Sequence, residues 1–291
     1  MMHVFRRPTH AGASMSNLDL FSKPSTTQFD LRLGDCVAGM ASLPDESVDL
    51  VVTSPPYNLT IAYASYRDDM PREDYLEWSY RWVAEVKRVL KPDGALFLNV
   101  GASPANPLFP HEVVLKLKPL LTLQNTLHWI KSITVQPRQG PAVSVGHFKP
   151  INSKRFLTDC HEYVFHLTKN GDVPVDRLAV GVEYADKSNI TRWAHTKEEK
   201  RDLRCRGNNW FIPYKTINSR SSERPHPATF PTELAEWCIR LHGCRPGLVM
   251  LEPFLGIGHA AEAAAACGVE KFIGFEIDDG YLTEACSRLG V

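Results

Sequence analysis

The sequence predicts an α/β protein built on one doubly wound, mostly parallel sheet of seven strands. Short runs rich in Val, Ile, Leu and Phe recur along the chain with little polar alternation, as strands buried on both faces require. Segments with apolar residues at helical spacing separate these runs. Strands that alternate with helices in this way indicate a parallel sheet covered by helices on both sides.

Seven apolar runs are the predicted strands, at residues 31–33, 49–53, 95–100, 126–133, 160–167, 248–251 and 271–276. Helices are predicted at residues 72–90, 110–121, 231–242 and 258–267. In the first helix Tyr75, Trp78 and Trp82 share one face, and Lys91-Pro92-Asp93-Gly94 breaks the pattern. The last is rich in Ala, which has the highest helix propensity.

The composition divides the 291 residues into four segments. Residues 1–28 mix Arg, Pro, Ser, Thr and Gly without periodicity, which predicts a flexible tail and makes Met15 a candidate natural start. Residues 170–215 are polar, lack a clear period and are too long for a simple connection, so they are predicted to be an inserted functional segment. Residues 29–169 and 216–291 then form two halves of one domain.

Charge is unevenly distributed although the net charge is zero. Residues 131–227 carry 17 Lys and Arg against 10 Asp and Glu, so this stretch has a net charge of +7 and the remainder −7. A basic middle segment is typical of a nucleic-acid face, although charge alone fits a solvated basic loop equally well. No apolar run approaches the roughly 20 residues of a membrane helix, and the N-terminus lacks the apolar core of a signal peptide.

The seven cysteines are widely spaced and none forms a Cys-x-x-Cys pair, which disfavours a zinc site and predicts no metal. Their odd number and scatter fit reduced thiols in a cytoplasmic protein.

The first chemical motif, Thr53-Ser54-Pro55-Pro56-Tyr57-Asn58, directly follows a predicted strand. Ligands of open α/β sheets bind beyond the carboxyl ends of strands, and two prolines stiffen this turn. The Ser54 hydroxyl and the Pro55 carbonyl could accept hydrogen bonds from an amino group, and the Tyr57 ring offers a face for stacking. A Pro-rich turn with a capping serine has the same residues, so the motif alone leaves both interpretations open.

The second motif, Pro253-Phe254-Leu255-Gly256-Ile257-Gly258, lies between a predicted strand and the Ala-rich helix. Its glycines let the backbone pass close to a ligand at the helix N-terminus. Glu276 ends the next strand, 18 residues after Gly258, where an acidic residue suits a ribose diol.

Together these motifs resemble the DNA amino-methyltransferases. Ser-Pro-Pro-Tyr at 54–57 resembles the catalytic motif of that family, and the segment 253–258 resembles its S-adenosylmethionine motif. Gly34-Asp35-Cys36 resembles the short acidic element at the cofactor adenine, and residues 226–231 resemble the element at its methionine end. Residues 91–97, 129–131 and 161–165 match minor blocks, so the resemblance spans residues 31–289.

The resemblance implies a circularly permuted Rossmann-like methyltransferase fold of the β group, because the catalytic motif precedes the cofactor motif. Residues 29–169 are then the catalytic half, 170–215 the target-recognition segment and 216–291 the cofactor-binding half. Two residues depart from the family pattern: Glu252 stands where Asp is usual and His259 where Thr is usual. These departures put the cofactor affinity in doubt rather than the class of activity.

The resemblance also implies the site residues. The catalytic residues are Ser54, Pro55, Pro56 and Tyr57. The cofactor-binding residues are Asp35, Cys36, His226, Ala228, Thr229, Phe230, Glu252, Pro253, Phe254, Gly256, Gly258, Glu276 and Ile277. Charge and hydrogen-bonding capacity select the DNA-binding candidates Lys149, Lys154, Arg155, Arg192, Lys200, Arg201, Arg204, Arg206 and Asn208.

The expected activity is site-specific transfer of a methyl group from S-adenosyl-L-methionine to the exocyclic N4 of a cytosine flipped out of duplex DNA. Ser54 favours cytosine N4, because family members with Asp at this position mostly methylate adenine N6. Cytosine C5 chemistry is disfavoured because no cysteine follows a proline. An adenine-N6 enzyme is the main alternative, and a DNA-binding protein with an inactive cofactor site is the second.

The expected partners are duplex DNA and, as for many relatives, a second copy of the chain and a cognate restriction endonuclease. Neither a membrane nor a metal is expected, and the location that the resemblance implies is the cytoplasm of a prokaryote, at the nucleoid.

Overall fold

The computed structural model describes residues 27–59, 61, 63, 65–146, 152–187, 202–213 and 229–291. Ten strands run through these residues: β1 Gln28–Leu33, β2 Val48–Thr53, β3 Leu90–Val100, β4 Thr122–Ile130, β5 Ser132–Val135, β6 Val143–Gly146, β7 His161–Thr168, β8 Asn209–Phe211, β9 Val249–Glu252 and β10 Lys271–Glu276. The helices of the same residues are α1 Cys36–Met40, α2 Arg72–Val89, α3 Phe109–Leu117, α4 Thr232–His242, α5 His259–Ala266 and α6 Asp279–Leu289. None of these helices is long and apolar enough to cross a membrane.

Eight strands form one sheet in the order β1-β10-β9-β2-β3-β7-β4-β8. Strand β7 is antiparallel to both its neighbours, and the other pairs are parallel. The predicted α/β class and mostly parallel sheet are confirmed, but the predicted number of seven strands is wrong. The eighth strand is β8, which lies inside the predicted recognition segment and is too short to stand out as an apolar run.

Several predicted boundaries also differ from the structure. The run at 126–133 is divided between β4 and β5, because the Lys131 N–H turns to the Cys160 carbonyl at 2.7 Å. Strand β5 then pairs with β6 in a separate hairpin. Strand β1 begins at Gln28, inside the predicted tail, and β3 begins at Leu90, directly after α2. Helices α1 and α6 were not predicted, since one is five residues long and the other has few buried residues.

Side-chain alternation along the strands produces two hydrophobic cores, one on each face of the sheet. On β2, Leu50 and Val52 pack in the core that contains α4 and α5, whereas Val51 packs in the core that contains α1, α2 and α3. The helices after β9 and β10 therefore cover one face, and the helices after β1, β2 and β3 cover the other. The change of face falls between the neighbouring strands β9 and β2, which is where open α/β sheets bind their ligands.

Candidate active site

A cavity of about 220 Å³ lies at the carboxyl ends of β1, β2, β9 and β10. The predicted site residues that line it are Asp35, Cys36, Ser54, Pro55, Pro56, Tyr57, Thr229, Phe230, Pro253, Phe254, Gly256, Glu276 and Ile277. Glu252 and Gly258 are not part of the lining. The predicted His226 and Ala228 lie outside the described residues.

The turn after β2 is held from behind by side chains of the following segment. The Tyr75 hydroxyl donates to the Pro56 carbonyl at 2.6 Å. The Asn58 side chain, at a residue with φ of +55°, forms two hydrogen bonds of 2.7 Å with the backbone of Met70. The buried Asp68 carboxylate accepts the backbone N–H groups of Asn58 and Leu59 at 2.8 and 2.9 Å. The position of the catalytic turn is thus fixed by contacts with residues 68–75.

A chain of polar contacts runs from Ser54 into the floor of the cavity. The Ser54 hydroxyl lies 2.7 Å from the Tyr57 hydroxyl. The Tyr57 hydroxyl is within donating distance of Asn99 Oδ1 at 3.1 Å and Glu162 Oε2 at 3.0 Å. Lys131 Nζ donates to the other carboxylate oxygen of Glu162 at 3.1 Å. Both members of this ion pair are largely buried, with side chains only 16% and 12% exposed, so water screens it weakly.

Gly101 makes room for this arrangement. A Cβ atom at residue 101 would lie 2.9 Å from Cε2 of Tyr57 and 3.1 Å from the carboxyl carbon of Glu162. The Tyr57 ring and the Glu162 side chain therefore occupy space that any other residue at 101 would fill.

On the cofactor side of the cavity, the glycine-containing loop is tied to β10. Gly256 N donates to Glu276 Oε2 at 2.7 Å, and Asp278 N donates to the other carboxylate oxygen at 2.9 Å. Gly258 has a φ of +89° and caps the N-terminus of α5. Burial raises the pKa of the Glu276 carboxyl above its usual range. Glu276, predicted to bind a ribose diol, thus also holds the loop that forms the cavity wall.

The two remaining cofactor elements are also well anchored. The Phe254 ring packs between Trp78 and Trp82, with centroid separations of 5.5 and 5.2 Å. The Asp35 carboxylate caps α1 by accepting the Ala38 N–H at 3.0 Å, and it remains exposed at the mouth of the cavity. The neighbouring Cys36 is buried, and burial raises the pKa of its thiol to about 12. Cys36 is therefore a neutral lining residue and not a nucleophile.

Glu252 lies behind the cavity wall and is fully buried. Its Oε1 accepts hydrogen bonds from the Thr53 hydroxyl and, at 3.2 Å, from the Phe254 N–H. Among the described residues nothing lies within hydrogen-bond distance of its Oε2. Burial raises the pKa of this carboxyl well above its usual range, so the neutral acid is favoured.

The family comparison decides which protein class carries this site. Residues 48–287 match the DNA methylase family N6_N4_Mtase, which is most of the chain. The chain belongs to this family. It is a site-specific DNA amino-methyltransferase.

Curated relatives match the methyltransferase over nearly its whole length. The type II methyltransferase M.ScaI of Streptomyces caespitosus is 30% identical over 92% of this chain and 84% of its own. M.BglII of Bacillus subtilis is 27% identical over 94% of this chain and 73% of its own. The DNA adenine methyltransferase YhdJ of Escherichia coli is 27% identical over 89% and 81%.

Solved structures share the fold of the methyltransferase. The cytosine-N4-specific PvuII DNA methyltransferase superposes with a TM-score of 0.65 at 20% identity, covering 92% of this chain and 89% of the other. TTHA0409 of Thermus thermophilus, a DNA modification methylase solved in complex with S-adenosyl-L-methionine, has a TM-score of 0.57 at 25% identity, with 90% and 93% covered. The predicted methyltransferase fold is thus confirmed.

The DNA-binding candidates are found in different environments. Lys154, Arg155, Arg204 and Asn208 are exposed. The guanidinium of Arg206 instead lies 4.0 Å from the ring centroid of Trp237 on α4, and its Nε donates to the Val180 carbonyl at 2.9 Å. The other candidates, Lys149, Arg192, Lys200 and Arg201, lie outside the described residues. Of the described candidates, Arg206 is the one committed to packing within the protein.

Four polar residues of the methyltransferase site were not predicted as site residues: Asn99, Lys131, Glu162 and Asp278. Asn99 is a buried amide at the end of an otherwise apolar strand, and that exception was a usable signal. Lys131 and Glu162 belong to segments already noted as minor family blocks. Among the described residues, no group of three His, Cys, Asp or Glu side chains is arranged to hold a metal ion.

Proposed function

We propose that this methyltransferase transfers a methyl group from S-adenosyl-L-methionine to the exocyclic N4 of a cytosine flipped out of duplex DNA. One observation carries the proposal: Ser54 and Pro55, which offer hydrogen-bond acceptors, line the same cavity as the glycine-containing loop at the N-terminus of α5. A base amine and a methyl donor can therefore be held in one space.

The cavity residues fit the methyl donor. The exposed Asp35 carboxylate at the end of β1 suits the adenine end, and Thr229 and Phe230 suit the methionine end. The backbone of the loop at Gly256 permits close approach to the middle of the molecule. When bound, S-adenosyl-L-methionine supplies an electrophilic sulfonium methyl group.

The protein contributes orientation rather than a covalent intermediate. The lone pair of an exocyclic amine is delocalised into the ring, so the amine is a weak nucleophile. Hydrogen bonds from its two N–H groups to the Ser54 hydroxyl oxygen and the Pro55 carbonyl favour the pyramidal nitrogen that reacts. Holding this nitrogen in a fixed direction lowers the entropic part of the barrier. Flipping the base costs a few kcal/mol, and stacking on the Tyr57 ring would return about 1–3 kcal/mol of it.

Two observations bear on the choice of base. Ser54 occupies the position at which adenine-specific family members mostly have Asp, and the PvuII enzyme of similar fold is cytosine-N4-specific. Against this, the curated relative YhdJ is an adenine methyltransferase. Adenine N6 is therefore the second candidate, with the same mechanism.

The substrate partner in this proposal is duplex DNA, bound by exposed basic residues such as Lys154, Arg155 and Arg204. Several relatives are type II methyltransferases of bacteria, which supports a prokaryotic enzyme with a cognate restriction endonuclease.

The test is incubation of the purified protein with mixed-sequence duplex DNA and methyl-labelled S-adenosyl-L-methionine, followed by nucleoside analysis of the digest. Labelled N4-methylcytosine is the expected product. Labelled N6-methyladenine would replace the proposed base and keep the mechanism. Cofactor binding without any labelled nucleoside, across many sequences, would reject the proposed activity and favour a binding protein.

A further inference from the structure

Two acceptors surround the Tyr57 hydroxyl on the side away from Ser54. Asn99 Nδ2 donates to the Tyr163 carbonyl at 3.0 Å, so the amide is oriented with Oδ1 towards the phenol. Glu162 presents a carboxylate oxygen whose partner oxygen is bound by Lys131. A phenol has one proton, and neither Asn99 Oδ1 nor the Glu162 carboxylate can donate to it.

The direction of the remaining hydrogen bond follows from this count. A hydrogen bond to a carboxylate is stronger than one between neutral groups, so the Tyr57 proton goes to the Glu162 side. The contact of 2.7 Å between the two hydroxyls is then donated by Ser54 and accepted by Tyr57. The Ser54 oxygen is left with its lone pairs for the cavity.

We infer that Glu162 is a positioning residue, which acts through Tyr57 to make Ser54 a hydrogen-bond acceptor towards the substrate. This inference rests on the proposed function, because an acceptor at Ser54 is what an amino group requires. It assigns Tyr57 a role for its hydroxyl in addition to a stacking face for its ring. It also gives Lys131 a function, since its ammonium group balances the charge of the nearly buried Glu162 carboxylate.

The substrate preference that follows is for a donor group at the reactive position. The exocyclic amines of cytosine and adenine donate, whereas the O4 of thymine and the O6 of guanine only accept. An oxygen placed against the Ser54 lone pairs would leave two acceptors facing each other without a proton. A site built for an N–H group rejects an analogue that lacks it.

The experiment compares Glu162→Gln with the wild-type protein. Gln keeps the shape of Glu162, but its amide can donate to Tyr57 and so release the fixed direction of the Ser54 proton. The single-turnover rate of methyl transfer to mixed-sequence duplex DNA is expected to fall about 10- to 100-fold, as for loss of one preorganised polar group. The dissociation constants for S-adenosyl-L-methionine and DNA, and the thermal midpoint, should stay close to those of the wild type, which a merely structural role would not allow.

Tyr57→Phe provides a second variant that keeps the ring and removes only the hydroxyl. The same loss of rate is expected, and the double variant should be no slower than the single variants, because both interrupt one chain of contacts. Glu77→Gln is the matched control, since this exposed glutamate pairs with Lys116 on the surface, and it should retain the wild-type rate.

The outcomes separate this inference from the proposed function. Methyl transfer by the wild type together with an unchanged rate in Glu162→Gln or Tyr57→Phe overturns the role of Glu162 alone. A lost rate that follows a weakened cofactor affinity also overturns it. Absence of any methylated amine with the wild type removes the proposed function and this inference together.

Discussion

Glu252 accepts a hydrogen bond from the Thr53 hydroxyl, and this buried contact joins the end of the strand that carries the cofactor loop to the end of the strand that carries the catalytic turn. The two residues are 199 positions apart in the chain. The next residue after Thr53 is Ser54, and the next after Glu252 is Pro253. The contact therefore fixes the distance between the two halves of the site. The additional carbon of Glu, relative to the Asp usual in the family, extends the reach of the carboxyl towards β2.

The protonation of Glu252 should make stability depend on pH. Because burial raises its pKa in the folded protein, the folded state holds the proton more tightly than the unfolded chain. The resulting stability is complete below 4.5, the ordinary pKa of Glu, and is lost as the pH rises through the folded pKa. Glu252→Gln is permanently neutral, so its thermal midpoint should fall less than that of the wild type as the pH is raised.

Thermal unfolding between about pH 5 and pH 9 tests this expectation. A smaller dependence on pH will remain in the variant, because the pKa of Glu276 is also raised by burial. The exposed Glu77→Gln serves as the control and should follow the wild-type curve. Identical pH dependence in Glu252→Gln and the wild type would mean that Glu252 is ionised in the folded protein.

Ser54→Ala should separate catalysis from cofactor binding. Loss of the hydroxyl removes one acceptor for the substrate amine, and we expect the methyl-transfer rate to fall about 100- to 1,000-fold. The affinity for S-adenosyl-L-methionine, measured by calorimetric titration, should change less than about twofold, since Ser54 lies on the catalytic side of the cavity. Ser47→Ala, which removes a hydroxyl bonded to the Pro44 carbonyl, is the control. A Ser54→Ala protein with full activity would contradict the assignment.

Glu276→Ala should weaken cofactor binding. The substitution releases the N–H of Gly256 and frees the loop at the cavity wall. Hydrogen bonds to charged groups contribute about 1.5–3 kcal/mol, so the dissociation constant should rise about 10-fold or more. Glu270→Ala is a close match, because Glu270 also accepts a glycine N–H, that of Gly247 at 2.9 Å, away from the cavity. Equal cofactor affinity in the two variants would disprove the role of Glu276.

Arg204 and Arg206 should differ although they stand two residues apart. Arg204 is exposed, so Arg204→Ala should weaken DNA binding and reduce the slope of log affinity against log salt by about 1, without changing the thermal midpoint. Arg206→Ala loses the contact with Trp237 and the hydrogen bond to Val180, at a cost of about 1–3 kcal/mol in the free energy of unfolding. Its thermal midpoint should fall by several degrees. Salt-dependent DNA titrations and calorimetry distinguish the two, and the reverse pattern would contradict the assignment.

The sequence by itself determined the strands, the order of the two motifs and their place at strand ends. These features depend on local signals: apolar runs, turn residues and glycines act over a few neighbouring positions. Ser54 follows β2 and Gly256 follows β9, and a parallel sheet brings such ends to one edge whatever lies between them. The common cavity of the two motifs was therefore predictable.

Only the tertiary structure decided which side chains meet. Tyr57 contacts Asn99 and Glu162, which are 42 and 105 positions away, because β7 inserts antiparallel beside β3. The direction in which Arg206 turns depends on Trp237, which lies on a helix of another segment. The protonation of Glu252 depends on burial between strands that are distant in sequence. Contacts across long chain separations arise from strand pairing and helix packing, and no local pattern of residues encodes them.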